Sequence, residues 1–222
     1  MSLARRARPD PSEFPGAARF LPPPGERGLS SLRIAVAGCR GCPLYRDATQ
    51  AVFGEGEPAA RVMIVGEVPG DAEDRAGAPF VGPAGRLLDG GLAAAGIARG
   101  DTYVTNAVKH FKFTRRGKRR IHDKPTRYEI AACRPWLDEE LALVRPRILL
   151  LLGATAAQAL LGPRFRVTQS RGVAVETPFA RWTFATVHPS SVLRAPDPDA
   201  REDARVAFFA DLRLVGDYLG KP

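Results

Sequence analysis

Residues 61–71 read RVMIVGEVPGD, a short apolar run that ends in glycine and passes into a turn with a proline and a second glycine. The run does not alternate between apolar and polar residues, which predicts a strand buried on both faces of a parallel sheet. The turn that follows can bring backbone N–H groups and a carboxylate to a ligand. It can equally be an ordinary connection to a helix, and no Gly-Lys-Ser/Thr follows that would make it a phosphate loop.

Three further apolar runs, at residues 102–107, 148–153 and 182–187, resemble the first. Between and after them lie helical patterns at residues 85–96, 127–144, 154–161 and 204–218. Alternation of strands and helices predicts an α/β fold, a three-layer α/β/α sandwich on a short, mostly parallel four-stranded sheet. Residues 1–30 are rich in Pro, Gly and Arg and predict a flexible arm, so the globular domain is expected over residues 31–222.

Polar residues stand at the ends of three of these strands. Glu67 follows the first strand, Asn106 closes the second, and His188 follows the fourth. In open parallel sheets the ligand site lies beyond the carboxyl ends of the strands, so these side chains are expected to converge. The segment His188-Pro-Ser-Ser-Val-Leu-Arg194 suits a positioned hydrogen-bond donor, although a capping loop with a surface histidine has the same residues.

The charge balance is basic and unevenly distributed. Lys and Arg number 33 against 24 Asp and Glu, a net charge of +9. Residues 109–124, KHFKFTRRGKRRIHDK, hold eight Lys or Arg against one Asp and two of the three histidines. Such a segment is typical of contact with a polyanion, and a solvated charge run is the alternative.

The chain has three cysteines, Cys39, Cys42 and Cys133, an odd number that is too small for a disulfide framework. No apolar run has the length of a membrane span, and no signal-peptide pattern follows Arg5, Arg6 and Arg8. We therefore expect a cytoplasmic, nucleoid-associated protein of bacterial type, with no membrane partner and with reduced thiols available as ligands. A monomer is the default, since neither a coiled-coil pattern nor an internal repeat is found.

Five collinear motifs together resemble the uracil-DNA glycosylase superfamily, specifically its iron–sulfur, family 4-like branch. They are the GEVPGD turn, the PFVGPAG stretch at residues 79–85, Thr105-Asn106 with Lys109, the HPSSVLR segment, and the Cys39-Arg-Gly-Cys42 and ACRPW pair around Cys133. The string KRRIH at residues 118–122 is similar to the insertion of the X-type enzymes, which remain covalently attached to the DNA that they cleave.

A Cys-x-x-Cys pair with one distant cysteine supplies three soft ligands and leaves a fourth position to be filled. His110 occupies the region where related glycosylases have their fourth cysteine. Ligand type allows zinc or an iron–sulfur cluster, and spacing alone favours zinc. The resemblance implies instead a structural 4Fe–4S cluster held by Cys39, Cys42, His110 and Cys133.

The resemblance also implies how uracil-containing DNA, single- or double-stranded, is bound. Uracil must be extruded from the stack before its glycosidic bond can be reached. Phe80 is then expected to stack on the base and Asn106 to bond its edge, with Val68 and the Asp71 region completing the pocket. Phosphates are expected to contact the basic loop and the HPSSVLR arginine, namely Lys118, Arg119, Arg120 and Arg194.

Three residues are expected to take part in cleavage. His188 donates a hydrogen bond to uracil O2, and Glu67 stabilises the sugar cation or positions water. His122 is expected to capture the sugar covalently, and contact with a phosphate is the simpler alternative. X-type enzymes usually carry Gln where this chain has Val68, which puts excision and trapping in doubt. A turnover glycosylase and a catalytically weak iron–sulfur DNA-binding protein are therefore the alternatives.

Overall fold

The computed structural model describes residues 13–221, which form a central sheet covered by helices on both faces. Its six strands have the order β1-β3-β2-β6-β8-β7, and the four inner strands are parallel. The bounds are β1 Glu55–Gly56, β2 Val62–Gly66, β3 Thr102–Asn106, β6 Ile148–Leu152, β7 Val175–Thr177 and β8 Ala180–Thr186. The predicted sandwich on four parallel strands is thus confirmed, and β1 and β7 add an antiparallel strand at each edge.

The inner strands β2, β3 and β6 are buried along their whole length. Alternate side chains of β2 enter two separate cores, with Met63 and Val65 on one face and Val62 and Ile64 on the other. Helices on both faces account for the continuous apolar run, because neither face of these strands meets water.

The helices are α1 Leu29–Val36, α2 Asp71–Ala76, α3 Pro83–Ala94, α4 Arg127–Val144, α5 Gly153–Leu161, α6 Val167–Ser170, α7 Pro189–Leu193 and α8 Pro198–Leu219. Side chains of α4 and α5 pack on one face of the sheet, and those of α3 and α8 pack on the other. α8 begins six residues before the predicted start at residue 204. Pro198 occupies its first turn, and the Asp197 carboxylate accepts from the Ala200 N–H at 2.8 Å.

The predicted arm falls partly outside the described residues, which begin at residue 13. For residues 13–30 the prediction is wrong. A 3-10 helix, Ala17–Phe20, contacts α4, and Ala17 is buried in a third apolar cluster with side chains of α1 and α4. Pro and Gly limit regular helix here, but they do not prevent packing, so the folded part of the chain extends before residue 31.

The basic segment forms a β-hairpin of β4 Phe113–Arg116 and β5 Arg119–His122, which lies apart from the central sheet. Its turn contains Gly117 at φ 58°, a conformation that glycine adopts without strain. Between residues 13 and 221, no helix is both long enough and apolar enough to cross a membrane.

Candidate active site

A pocket of about 170 Å³ opens beyond the carboxyl ends of β2, β3 and β8. Six of the predicted site residues line it, and they come from five separate sequence motifs. The lining residues are Val68, Pro69, Gly70, Glu73, Phe80, Ala84, Asn106, His122, His188, Ser190 and Arg194. The convergence expected from the strand ends is therefore present for Asn106 and His188.

Asn106 and Phe80 are brought together by a glycine. Gly66 ends β2 directly opposite Asn106 in the sheet register. A Cβ at Gly66 would lie 2.3 Å from Asn106 Oδ1 and 2.6 Å from Phe80 Cζ. Only glycine therefore lets the amide and the aromatic ring approach the same part of the pocket.

Phe80 has φ 57°, in the left-handed region that a bulky residue rarely adopts. The neighbouring helix start allows this conformation, because a Cβ at Gly85 would lie 1.7 Å from the Phe80 carbonyl oxygen. The ring is stacked on His188 with a centroid distance of 5.9 Å and an interplanar angle of 28°. Backbone strain of this kind is concentrated at ligand sites.

The hydrogen bonds of His188 define its tautomer. The Ser190 backbone N–H donates to His188 Nδ1 at 3.2 Å, and Ser190 Oγ lies 2.8 Å from the same nitrogen. Nδ1 is thus an acceptor, which places the ring proton of the neutral imidazole on Nε2. Burial lowers the pKa of His188 to about 4, and the charges of His122 and Arg194 act in the same direction. At neutral pH the pocket therefore contains a neutral imidazole that can donate through Nε2.

A buried ion pair supports the backbone of Asn106. The Lys109 and Glu140 side chains are fully buried and paired, and Lys109 Nζ also donates to the Asn106 carbonyl oxygen at 2.8 Å. Glu140 Oε1 accepts from Tyr103 OH at 2.9 Å and from the Gly54 N–H at 3.0 Å. These bonds satisfy both charges, as a buried pair requires.

Glu67 is not among the residues that line the pocket. Thr155 Oγ1, in the first turn of α5, donates to Glu67 Oε1 at 2.7 Å. This is the one hydrogen bond of the Glu67 carboxylate within residues 13–221, so Oε2 is free for another group. The negative charge of Glu67 acts to raise the pKa of His122, which places the two residues within electrostatic reach.

Glu73, which the sequence reasoning missed, connects the two loops around Phe80. Its Oε2 accepts from the Gly70 N–H at 3.1 Å, and its Oε1 accepts from the Gly82 N–H at 2.8 Å. A carboxylate three residues after the glycine that precedes α2 is the signal that could have indicated the first bond. The second bond joins residues nine apart and has no local signal.

Two predicted contacts need correction. Asp71 does not line the pocket; its carboxylate pairs with Arg75 at 2.9 Å and with Arg120. Burial acts to raise the pKa of Asp71, but the bonds from these two arginines lower it below its usual value. Arg120, predicted to bind phosphate, has a side chain only 7% exposed and also pairs with Asp74 at 2.6 Å. It fixes the hairpin to α2.

The other three residues that were predicted to contact phosphate are accessible to solvent. Lys118 and Arg119 are exposed at the hairpin turn, and Arg194 lines the pocket. His122, the last residue of β5, also lines the pocket although much of its surface is exposed. Partial desolvation lowers the pKa of His122, and the charge of Arg194 acts in the same direction. The hairpin therefore brings an imidazole to the mouth of the pocket.

The three thiols are buried in the third apolar cluster, together with Val68. Two of their sulfur atoms accept hydrogen bonds, Cys133 Sγ from the Lys109 N–H at 3.2 Å and Cys39 Sγ from Trp136 Nε1 at 3.3 Å. Burial raises the pKa of Cys42 to about 11, and the neighbouring thiol of Cys39 acts in the same direction.

His110 is buried next to Lys109, and burial lowers its pKa to about 4, so it is neutral at pH 7. Neutral imidazole and thiolate are the side-chain forms that bind soft metals. Within residues 13–221, however, no group of three or more Cys, His, Asp and Glu side chains is arranged to hold a metal ion. The donor types and the N–H groups directed at sulfur fit an iron–sulfur cluster chemically.

Comparison with known proteins agrees with this arrangement. The Uracil DNA glycosylase superfamily matches residues 53–213. The type-4 uracil-DNA glycosylase of Pyrobaculum aerophilum is 38% identical over 179 residues, 76% of this chain and 86% of the relative. That of Thermotoga maritima is 38% identical over 160 residues, 72% and 80% of the two chains. That of Archaeoglobus fulgidus is 32% identical over 202 residues, 87% and 94% of the two chains.

Proposed function

Because this chain belongs to the uracil DNA glycosylase superfamily, we propose that it extrudes uracil from DNA and breaks the bond between the base and the deoxyribose. The observation that carries the proposal is the pocket itself. An edge-reading amide, Asn106, faces a stacking ring, Phe80, and a neutral hydrogen-bond donor, His188. The type-4 names of the relatives favour the iron–sulfur branch of the superfamily.

Asn106 would select uracil by its hydrogen-bonding pattern. The amide can accept from N3–H through Oδ1 and donate to O4 through Nδ2. Cytosine presents the reverse pattern, an acceptor at N3 and a donor at N4, so both groups of the amide would be left unpaired. Unpaired polar groups in a buried site discriminate strongly between substrates. The Lys109 bond to the Asn106 carbonyl holds the backbone that carries this amide.

His188 would stabilise the leaving group. As the bond breaks, the electron pair moves to uracil and negative charge develops on O2. The neutral imidazole donates to that oxygen through Nε2, because its Nδ1 is occupied by the Ser190 N–H. A donor of this kind in a desolvated site contributes roughly 2.7–4 kcal/mol to transition-state stabilisation.

Glu67 would act on the other fragment, the cationic sugar. Its Oε1 is held by Thr155, and the remaining oxygen can stabilise the oxocarbenium-like charge or orient a water molecule. If water attacks, the products are free uracil and an abasic site.

His122 gives a second outcome, covalent capture, as in the X-type enzymes that share the KRRIH string. The bond between C1′ and uracil N1 breaks, and uracil leaves with the electron pair. A lone pair of the neutral imidazole forms the new bond to C1′, and the ring loses the proton of its other nitrogen to solvent. Arg120 supports this geometry, since its pairs with Asp71 and Asp74 anchor the hairpin that carries His122.

Cys39, Cys42, Cys133 and His110 would hold a 4Fe–4S cluster. When bound, the cluster supplies a structural connection among the segment after α1, the loop after β3, and α4; base excision transfers no electrons. A brown protein with about four irons per chain is expected after anaerobic purification. A colourless protein with one zinc per chain would contradict this assignment.

One gel assay tests the main proposal. The chain is incubated with single-stranded DNA that contains one uracil, then divided between denaturing electrophoresis and alkaline cleavage of abasic sites. A uracil-dependent band resistant to SDS supports capture, whereas abasic product without the band supports a turnover glycosylase. Salt-sensitive binding without base release would contradict the proposal and indicate a DNA-binding protein.

A further inference from the structure

A second cavity, of about 420 Å³, lies between the first part of α4 and α5. Both charged residues that line it are arginines, Arg127 and Arg134, and no carboxylate lines it. Much of the remaining wall is apolar, with Ile130 and Pro163 among its residues. A groove of this composition suits a ligand that combines an anionic group with a flat apolar surface.

One side chain of the groove contacts a residue of the proposed site. Thr155 lines the groove, and its hydroxyl contacts Glu67, the carboxylate assigned to the sugar. The chain also connects the two, because His122 at the mouth of the pocket lies only three residues before Pro125 of the groove. A strand whose sugar lies near Glu67 and His122 would therefore have the groove on one side of it.

The two arginines differ in how they are held. Arg134 donates to Asp138 Oδ1 at 2.6 Å and to the Ala159 carbonyl oxygen at 2.5 Å, so it is fixed and partly neutralised. Arg127 is exposed and has no ion pair within residues 13–221. The uncompensated charge of the groove is thus that of Arg127.

We propose that this groove binds the DNA strand that flanks the extruded uracil, with Arg127 on a phosphate and Ile130 and Pro163 against a base. The inference rests on the proposed function, since the strand in the groove is the one whose uracil enters the pocket. The groove adds a contact with the strand on one side of the uracil, a contact that neither the hairpin nor Arg194 supplies. Single-stranded DNA fits best, because an unpaired base exposes the face that would lie on the apolar wall.

Fluorescence anisotropy tests the proposal with three single-stranded oligonucleotides: one with the uracil central, and two shortened on either side of it. Wild type should bind one shortened form more weakly than the other. Arg127→Ala should lose that difference, and the slope of log affinity against log salt should fall by about 0.7, the value for one phosphate of a single strand. Arg213→Ala, an exposed arginine of α8 without a described ion pair, is the matched control and should keep the difference.

Equal binding of the two shortened forms by wild type, or a loss that Arg213→Ala shares, would overturn the proposal. Uracil release is measured in the same samples at saturating protein, where the control Arg213→Ala should match wild type. Absence of release from wild type, together with a flank effect that depends on Arg127, would contradict the glycosylase function and still support the groove. The two proposals therefore fail by different readouts.

Discussion

Thr155 donates a hydrogen bond of 2.7 Å to Glu67 across the ends of two neighbouring strands, β6 and β2. The bond fixes one carboxylate oxygen, and the other has no hydrogen-bond partner within residues 13–221. Thr155→Val keeps the shape of the side chain and removes the donor, so we expect single-turnover uracil release to fall by about tenfold. Thr155→Ser, which keeps the hydroxyl, should remain near wild type.

A double-mutant cycle separates positioning from a general effect of Thr155 on the fold. If Thr155 acts through Glu67, Thr155→Val should have little further effect on the rate in a Glu67→Gln background. Equal rate losses in both backgrounds would show that the threonine acts independently of the carboxylate.

Substitution of Gly66 tests whether Asn106 and Phe80 together form the uracil site. Gly66→Ala places a methyl group against both the Asn106 amide and the Phe80 ring, so uracil release should be lost while affinity for plain DNA is kept. Gly90→Ala in α3 is the matched control, since its Cβ would lie at an ordinary 3.5 Å from the Phe209 ring. Unchanged uracil release by Gly66→Ala would contradict the placement of Asn106 in the base pocket.

The pKa of His188, about 4 in the folded protein, predicts a dependence of stability on pH. An unfolded histidine titrates near 6.5, so between about pH 6.5 and 4 the unfolded state binds the proton and the folded state does not. Stability should therefore fall as the pH is lowered through this window. His188→Gln should show a smaller drop in thermal midpoint from pH 7 to pH 5 than wild type. An equal drop in thermal midpoint in both proteins would contradict the assignment of His188 as neutral in the folded state.

His122 tests covalent capture. His122→Ala should abolish the SDS-resistant complex and keep uracil release, because water then attacks the sugar. Lys118→Ala, at the exposed turn of the same hairpin, should still form the complex. Peptide mapping should place deoxyribose on the Ile121-His122-Asp123 peptide. An adduct on Lys118 that borohydride strengthens would indicate Schiff-base chemistry and exclude the histidine mechanism.

Substitutions at Lys109 and Glu140 test the buried ion pair that holds the backbone of Asn106. Lys109→Met leaves a buried, unpaired carboxylate and should destabilise the protein by about 3–5 kcal/mol. Adding Glu140→Gln removes that charge and keeps an acceptor for Tyr103, so the double variant should recover part of the loss. Urea denaturation followed by tryptophan fluorescence measures both. Further destabilisation in the double variant would contradict the pairing.

The sequence predicted the four inner strands and the positions of Asn106 and His188, because buried strands and their carboxyl ends have strong local patterns. The prediction for α4, residues 127–144, matches the helix at both ends. Its start has a reciprocal cap, in which the Glu129 N–H donates to Thr126 Oγ1 and the Thr126 N–H donates to Glu129 Oε2. Elements defined by local chemistry were therefore accessible from the sequence.

Contacts between residues far apart in the chain could not be predicted from the sequence. Arg120 was assigned to DNA because it belongs to a basic run, yet its partner Asp71 lies 49 residues earlier in the chain. Charge composition gives the sign of a segment's net charge, but it does not show which of the charged residues form ion pairs. The packing of Ala17 against α4 escaped prediction for the same reason, because a Pro- and Gly-rich segment has no period that indicates a buried face.

Lys109 belongs to two sites at once. Its backbone N–H donates to Cys133 Sγ, and its ammonium group donates to the carbonyl of Asn106. A single residue thus connects the buried thiols with the residue that we propose to recognise uracil. Under the proposed function, substrate range and retention of the cluster are therefore coupled traits. A library built to change the base preference should spare position 109, and variants should be screened for colour as well as for activity.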